Sequence, residues 1–359
     1  MKRVKVAVIG AGFSADIHME SYARFVPAAD VVAVYDGHDP KGAGNFAKKH
    51  HIPAVYDDLD KLYTNEEIDM VDICVPNYLH HGLCVDAARR DKHILVEKPL
   101  CLTLEEADEM IAECKKRSLK FMYAEELCFA PKYERARALM ESGAVGKLFM
   151  LKQSEKHSGP HSPWFYKKET AGGGVMMDMG CHAMAWFRWM NRGAAVKSVY
   201  SHMSTVLHDT DCDDNTVTVV EFDNGVTAVA EDSWARHGGM DDRIEVYGTQ
   251  GVSYADLFQG NSALTYSNKG YDYAAEKAGA TLGWTFTMYE EAFNQGYPQE
   301  LAHFTDCVLN DKEPLVTAAD GRAALEMIYA AYESARTGRS VTLPFSPKVK
   351  YPIELWLGK

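Results

Sequence analysis

The stretch Val4–His18, "VKVAVIGAGFSADIH", constrains this chain more than any other. An apolar strand runs into Gly10 and Gly12, and a helical pattern starts at once. Gly10, Gly12 and Ala15 take the three small positions of G-x-G-x-x-G/A, with Phe13 and Ser14 inside the motif. The first glycine permits a tight turn, and the second lets the backbone approach a pyrophosphate. The third small residue lets helix and strand pack closely, and the helix N-terminus offers free N–H groups to the anion. Gly10, Gly12, Phe13, Ser14 and Ala15 are therefore candidate cofactor contacts. The motif alone is also compatible with a glycine-rich turn that binds nothing.

The context favours the first reading. A second strand, "DVVAVYD", ends in Asp36, 24 positions after Gly12. An acid there hydrogen-bonds the adenosine ribose and repels a 2′-phosphate. Gly37, His38 and Asp39 follow with no arginine, so NAD is favoured over NADP, with Lys41 the nearby cation. Strand and helix patterns then alternate through "MVDICVP", "HILVEKP" and "KFMYAEE", and Thr103 with Glu106 forms a capping box before a helix. This alternation predicts a doubly wound parallel sheet, whose ligands bind beyond the carboxyl ends of the strands. Pro76, Asn77 and His80 of "VPNYLHH" and Glu97 and Lys98 of "VEKP" fall at such ends. They join the cofactor set, with Asn77 and His80 toward the ribose or nicotinamide.

Beyond about residue 125 the pattern changes to a helix, then alternating segments such as "LFMLKQSEKH", "VKSVYSHMSTVL", "DRIEVYGTQGVSYAD" and "SALTYS". "FDNGVTAVA" carries an Asn-Gly hairpin signal. The fold class expected is α/β, an N-terminal Rossmann sheet over 1–124 and a C-terminal α+β domain over 125–359 with a large open, mostly antiparallel sheet. The second domain would bind substrate and mediate oligomerisation.

Within it, "GGGVMMDMGCH" places Asp178 and His182 four apart, on one face if the segment is a helix. An acid beside an imidazole orients the ring and stabilises its protonated form, as a general base requires. A helix-start acid with a space-filling histidine fits the spacing equally well. The loop "SEKHSGPHSPWFYKKE" offers His157, His161, Trp164 and Tyr166 for stacking on a sugar face or an aromatic aglycone, or serves as a plain surface lid. "HDTDCDDN" lacks the glycine and terminal glutamate of a calcium loop and reads as a solvated acidic turn, so no metal is expected.

Composition narrows the class. A net charge of −13 argues against nucleic-acid or anionic-membrane partners. Eight cysteines without CxxC spacing fit reduced thiols in the cytoplasm. No apolar run spans a membrane and no signal peptide is expected.

Together, "AVIGAGFSADIH", "VPNYLHH", "VEKPL", "GGGVMMDMGCH" and "DGRAALEMIYAAYESARTGRSVTLP" resemble the glucose–fructose oxidoreductase/inositol dehydrogenase (Gfo/Idh/MocA) family along nearly the whole chain. The resemblance implies hydride exchange between NAD and a sugar or cyclitol carbon. It implies that Lys98, Asp178 and His182 are the catalytic lysine, aspartate and histidine, which also bind substrate. It implies too that the Lys98–Pro99 bond is often cis. Many relatives carry an arginine where this chain reads "AEELCFAPKY", so Glu125 and Glu126 are expected to give a carboxylate-bearing lining at the domain junction, with Glu125 on the substrate.

The expected reaction is oxidation of a secondary hydroxyl of a sugar, glycoside or cyclitol, with the glucosyl 3-hydroxyl one candidate. The alternatives are redox-neutral glycoside cleavage, with NAD recycled in place, and a non-catalytic NAD-binding sensor. A sensor has no need of a proton-transfer set. Alternation in "TVTVVEF" and "VTAVAED" predicts a sheet covered on one face by helices and on the other by a second subunit, hence a homo-oligomer.

Overall fold

The structure is a computed structural model describing residues 2–65, 67–258, 263–268, 282–287 and 290–358. Ser262, which opens the expected strand "SALTYS", lies outside the described residues. The chain divides into two units, Met1–Phe129 with Gly296–Arg322, and Ala130–Gln295 with Ala323–Lys359.

The first unit is built on a six-stranded parallel sheet: β1 (Val4–Ile9), β2 (Ala29–Tyr35), β3 (Ala54–Tyr56), β4 (Met70–Ile73), β5 (His93–Val96) and β6 (Phe121–Tyr123). Their order is β3-β2-β1-β4-β5-β6, with the reversal at β1. Such a sheet is buried on both faces, which demands near-continuous apolar strands. Val6, Ala7 and Val8 of β1 and Ile94, Leu95 and Val96 of β5 are all fully buried. The linking helices are α1 (Phe13–Phe25), α2 (Pro40–His50), α3 (Leu59–Tyr63), α4 (His80–Arg89) and α5 (Leu104–Lys116). The Thr103–Glu106 capping box opens α5 as expected.

The second unit begins with α6 (Pro131–Glu141) and β7 (Leu148–Lys156), followed by α7 (Lys168–Ala171), α8 (Val175–Asp178) and α9 (Gly180–Met190). Then come β8 (Val196–Ser204), β9 (Asn215–Phe222), β10 (Thr227–Ser233), β11 (Asp241–Gly248) and β12 (Gly251–Asp256). A separate pair, β13 (Ala263–Ser267) and β14 (Gly283–Thr287), precedes α10 (Glu291–Gln295). After α11 (Tyr297–Asn310) and α12 (Ala318–Thr337), β15 (Val341–Thr342) completes a seven-stranded sheet of order β12-β11-β7-β10-β9-β8-β15. Its pairs are antiparallel except β7 with β10. At the Asn224-Gly225 hairpin, Gly225 takes a φ of +85°, the left-handed conformation such a turn requires.

Three local features depart from the sequence expectation. The helix α11 belongs to the first unit, where it packs on α1, although it follows the whole second sheet in the chain. Asp178 and His182 lie on two helical pieces, because the chain breaks at Met179 between α8 and α9. The acidic turn is only half solvated. Asp209 and Asp211 are exposed, whereas Asp213 and Asp214 are fully buried because each caps backbone N–H groups. Asp213 accepts from the N–H groups of Gly174 and Met176 and from the Tyr332 hydroxyl, at 3.0, 2.8 and 2.9 Å. Asp214 accepts from Val206, Leu207 and His208 N–H.

Candidate active site

The glycine turn is shaped by two different constraints. Gly10 has a φ of +108°, and a Cβ there would stand 2.1 Å from the Cys74 carbonyl oxygen, so only glycine fits. Gly12 has an ordinary φ of −92° and nothing within 4 Å of where its Cβ would be. Open space over a backbone that leads straight into α1 is the cradle a pyrophosphate needs. Phe13 and Ser14 form the exposed to half-buried start of α1, and Ala15 is fully buried under it. Asp36 follows β2. Its Oδ2 accepts from Ala11 N–H at 3.1 Å, and Oδ1 accepts from His38 and Asp39 N–H at 2.9 Å each. Three of roughly four acceptor positions on the carboxylate are used, which leaves one for a ribose hydroxyl. The turn and its acid therefore fit an NAD molecule.

At the carboxyl end of β4, Pro76 leads into a single 3₁₀ turn, Asn77–Leu79, with Asn77 buried. His80 is fully buried, not open to a cofactor. Its Nδ1 lies 2.9 Å from the Pro99 carbonyl and its Nε2 2.9 Å from the Val75 carbonyl, so the ring joins two strand-end turns. Burial pushes its pKa below the ordinary value, opposed by those carbonyls. At the end of β5, Glu97 is buried, and its Oε2 accepts from Lys98 N–H at 3.0 Å. The Lys98–Pro99 bond is cis. Burial works against a charge on Glu97, but the His18 ring paired with it at 3.1 Å and the charge of Lys98 bring its pKa below the usual value. Glu125 is fully buried and Glu126 nearly so, the latter 3.3 Å from the Tyr297 hydroxyl.

In the second unit, Asp178 and His182 are both buried, and the Trp234 indole N–H donates to Asp178 Oδ2 at 3.0 Å. Tyr166 packs edge-on to Trp234, with ring centroids 5.4 Å apart, and lies beside His208. Phe165 joins the same apolar cluster and carries Trp164 stacked at 3.7 Å. The loop aromatics are thus packed around the tryptophan that holds Asp178. His157 is buried and its Nδ1 accepts from Gly159 N–H, while His161 is exposed.

Sequence reasoning missed Trp234 and Asp232. Asp232 is fully buried, and neither of its carboxylate oxygens has a hydrogen-bond partner among the described residues. Burial pushes its pKa well above the usual value, opposed by the charges of His182 and Lys156. It shares one register row with Glu155 of β7 and Asp242 of β11, both buried. A signal existed: Asp232 has the strand parity of buried Ala228 and Ala230, so an acid was due to face inward.

Residues 4–125 match the profile of the oxidoreductase family with an NAD-binding Rossmann fold, and residues 133–253 match the GFO/IDH/MocA C-terminal domain. The chain belongs to the GFO/IDH/MocA family. Membership makes this an NAD-dependent oxidoreductase, in agreement with the glycine turn and Asp36. Among similar solved structures, GenD2 from gentamicin A biosynthesis, in complex with NAD, is 30% identical with a TM-score of 0.90. That match covers 96% of this chain and 97% of GenD2. The scyllo-inositol 2-dehydrogenase (NAD(+)) of Bacillus subtilis is 29% identical over 95% of this chain and 96% of its own length. The myo-inositol 2-dehydrogenase of Thermotoga maritima is 28% identical over 95% and 98%.

Proposed function

We propose that this GFO/IDH/MocA protein oxidises a secondary hydroxyl of a sugar, glycoside or cyclitol, with the glucosyl 3-hydroxyl among the candidate positions. Relatives named for inositols, levoglucosan and D-apiose support that substrate class. The observation that carries the reading is a buried Asp178–His182 pair in a chain that also bears an NAD-type turn and a strand-end lysine.

NAD, when bound, supplies the hydride acceptor. His182 takes the hydroxyl proton, a role suited to an imidazole because its ordinary pKa of about 6.5 lies near neutrality. Lys98 hydrogen-bonds the same oxygen and stabilises the negative charge that develops on it. Asp178, held by Trp234, positions the substrate or the imidazole. Glu97 stabilises the charge of Lys98. Gly10, Gly12 and Asp36 bind the pyrophosphate and ribose, and the loop aromatics Trp164 and Tyr166 offer faces for a sugar ring or an aglycone.

The test is to mix the protein with NAD and scyllo-inositol, myo-inositol, glucose, levoglucosan or an aryl glucoside, recording NADH and free aglycone separately. NADH from at least one polyol is expected. Free aglycone without NADH would replace the reading with redox-neutral cleavage, and silence on every substrate would overturn both. Lys98→Ala should lower the hydride-transfer rate by about 100-fold or more, the scale of losing one oxyanion donor, with NADH affinity nearly unchanged.

A further inference from the structure

The first unit contains a buried chain of charge that the proposed chemistry does not use. His18, on α1, is fully buried. Its Nδ1 lies 2.9 Å from Asp72 Oδ2 on β4, and its Nε2 forms an ion pair with Glu97 Oε1 at 3.1 Å. The other oxygen of Glu97 holds Lys98 N–H at 3.0 Å. The Nδ1 contact is a hydrogen bond, whereas the Nε2 contact is an ion pair by distance without hydrogen-bond geometry, so its attraction to Glu97 is present only when the ring carries its charge.

The remaining groups around the ring leave the charge there. Cys74 Sγ is 3.5 Å from Nδ1, Tyr22 lies one turn along α1, and α11 contributes the Tyr297 ring at 5.7 Å and Glu300. Burial opposes a charge on His18, but Asp72 and Cys74 raise its pKa well above the ordinary value. Burial pushes the Cys74 thiol, the Tyr22 hydroxyl and the Glu300 carboxyl upward, so the thiol and hydroxyl are neutral near pH 7 and a charge on Glu300 is disfavoured. Glu125 and Glu126 add to the upward push on Glu300. The donor atoms of His18, Asp72 and Cys74 lie within 4.8 Å of one another, yet a neutral thiol and a 2.9 Å contact describe a hydrogen-bonded set.

We propose that His18 is a positioning residue for Lys98: by bridging Asp72 and Glu97 it locks the Glu97 carboxylate against the Lys98 N–H and fixes the turn from which Lys98 projects. Main-chain pairing to β4 reaches only to Glu97, whose N–H bonds the Ile73 carbonyl. Beyond it the turn is tied by the carboxylate that His18 faces, which accepts from Lys98 N–H, and by the His80 ring at the Pro99 carbonyl. The inference rests on the reading of Lys98 as the catalytic lysine, and deepens it.

Two measurements on the full chain need no substrate. In long-range ¹H–¹⁵N spectra of histidine-labelled protein, the His18 ring should keep both protons well above the pH at which an ordinary imidazole loses one. A ring that titrates near the ordinary 6.5 overturns the proposal. His18→Gln should raise amide exchange of residues 97–102 by about tenfold, with β1 and β2 unchanged. Its kcat should fall by about 100-fold at nearly constant NADH affinity and KM. Unaltered exchange at 97–102 overturns the proposal. If His18→Gln fails to fold, Glu97→Gln carries the same test, since it keeps the shape of the side chain and removes the charge. It should loosen 97–102 and lower the pKa of His18. A wild-type protein inactive on every polyol would overturn the proposed function and leave these two results standing.

Discussion

Asp213 and Asp214 are neighbours with identical side chains and opposite electrostatics. Burial raises the pKa of Asp213 despite three donors, whereas for Asp214 the backbone N–H groups of His208, Val206 and Leu207 outweigh burial and lower it. Asp213→Ala would strand the N–H groups of Gly174 and Met176 and the Tyr332 hydroxyl, at a cost of about 2–4 kcal/mol measurable by chemical denaturation. Because Gly174 and Met176 open α8, which ends in Asp178, activity should fall as well. The folded pKa of Asp214 lies below its unfolded value, so its contribution is complete above about pH 4 and is lost as pH falls through the depressed value. The stability gap between wild type and Asp214→Asn should therefore close in acid, and a gap that persists there would refute the assignment. Neither aspartate was legible from "HDTDCDDN", because alternation does not say that Asp213 meets the start of α8 or that Asp214 turns back on the N–H groups of 206–208.

At the scale of elements, the glycine turn separates folding from binding. Gly10→Ala forces a Cβ onto the Cys74 carbonyl at a positive φ and should destabilise the first unit by more than about 1 kcal/mol. Gly12→Ala meets no protein atom within 4 Å, so the melting temperature should hold, while NADH affinity falls by about tenfold or more as the Cβ enters the cradle. Thermal denaturation with an NADH fluorescence titration distinguishes the two. Unchanged affinity in Gly12→Ala would exclude this turn as the pyrophosphate site. The turn was readable because it is local: a strand, two glycines and a helix within some fifteen residues. The break at Met179 was not, since Asp178 and His182 have the spacing of one continuous helix. Nor was the crowding before α8, where a Cβ at Gly173 would stand 2.0 Å from the Tyr332 hydroxyl and one at Gly174 1.9 Å from the Asp213 carbonyl.

For the whole molecule, the outward face of the seven-stranded sheet carries Tyr200, Val217, Val252 and Tyr254, each more than 40% exposed. An apolar set of this kind on one sheet face is expected to be covered by a second copy of the chain. Sedimentation velocity at micromolar concentration should show an oligomer, and Val217→Lys with Tyr200→Glu should shift it toward monomer. A wild-type monomer would contradict the expectation. The sequence by itself determined the parallel and antiparallel sheets and the glycine turn, which follow from short-range periodicity and from a motif within a few residues. Lys98, Asp178 and His182 were singled out by the family resemblance. Only the tertiary structure decided the partners: His18 with Asp72, 54 positions apart; Trp234 with Asp178, 56 apart; and Tyr297 of α11 with Glu126, 171 apart. A side chain's periodicity says which face it occupies. Its partner depends on which distant element packs there, and that is set by the burial of the whole core.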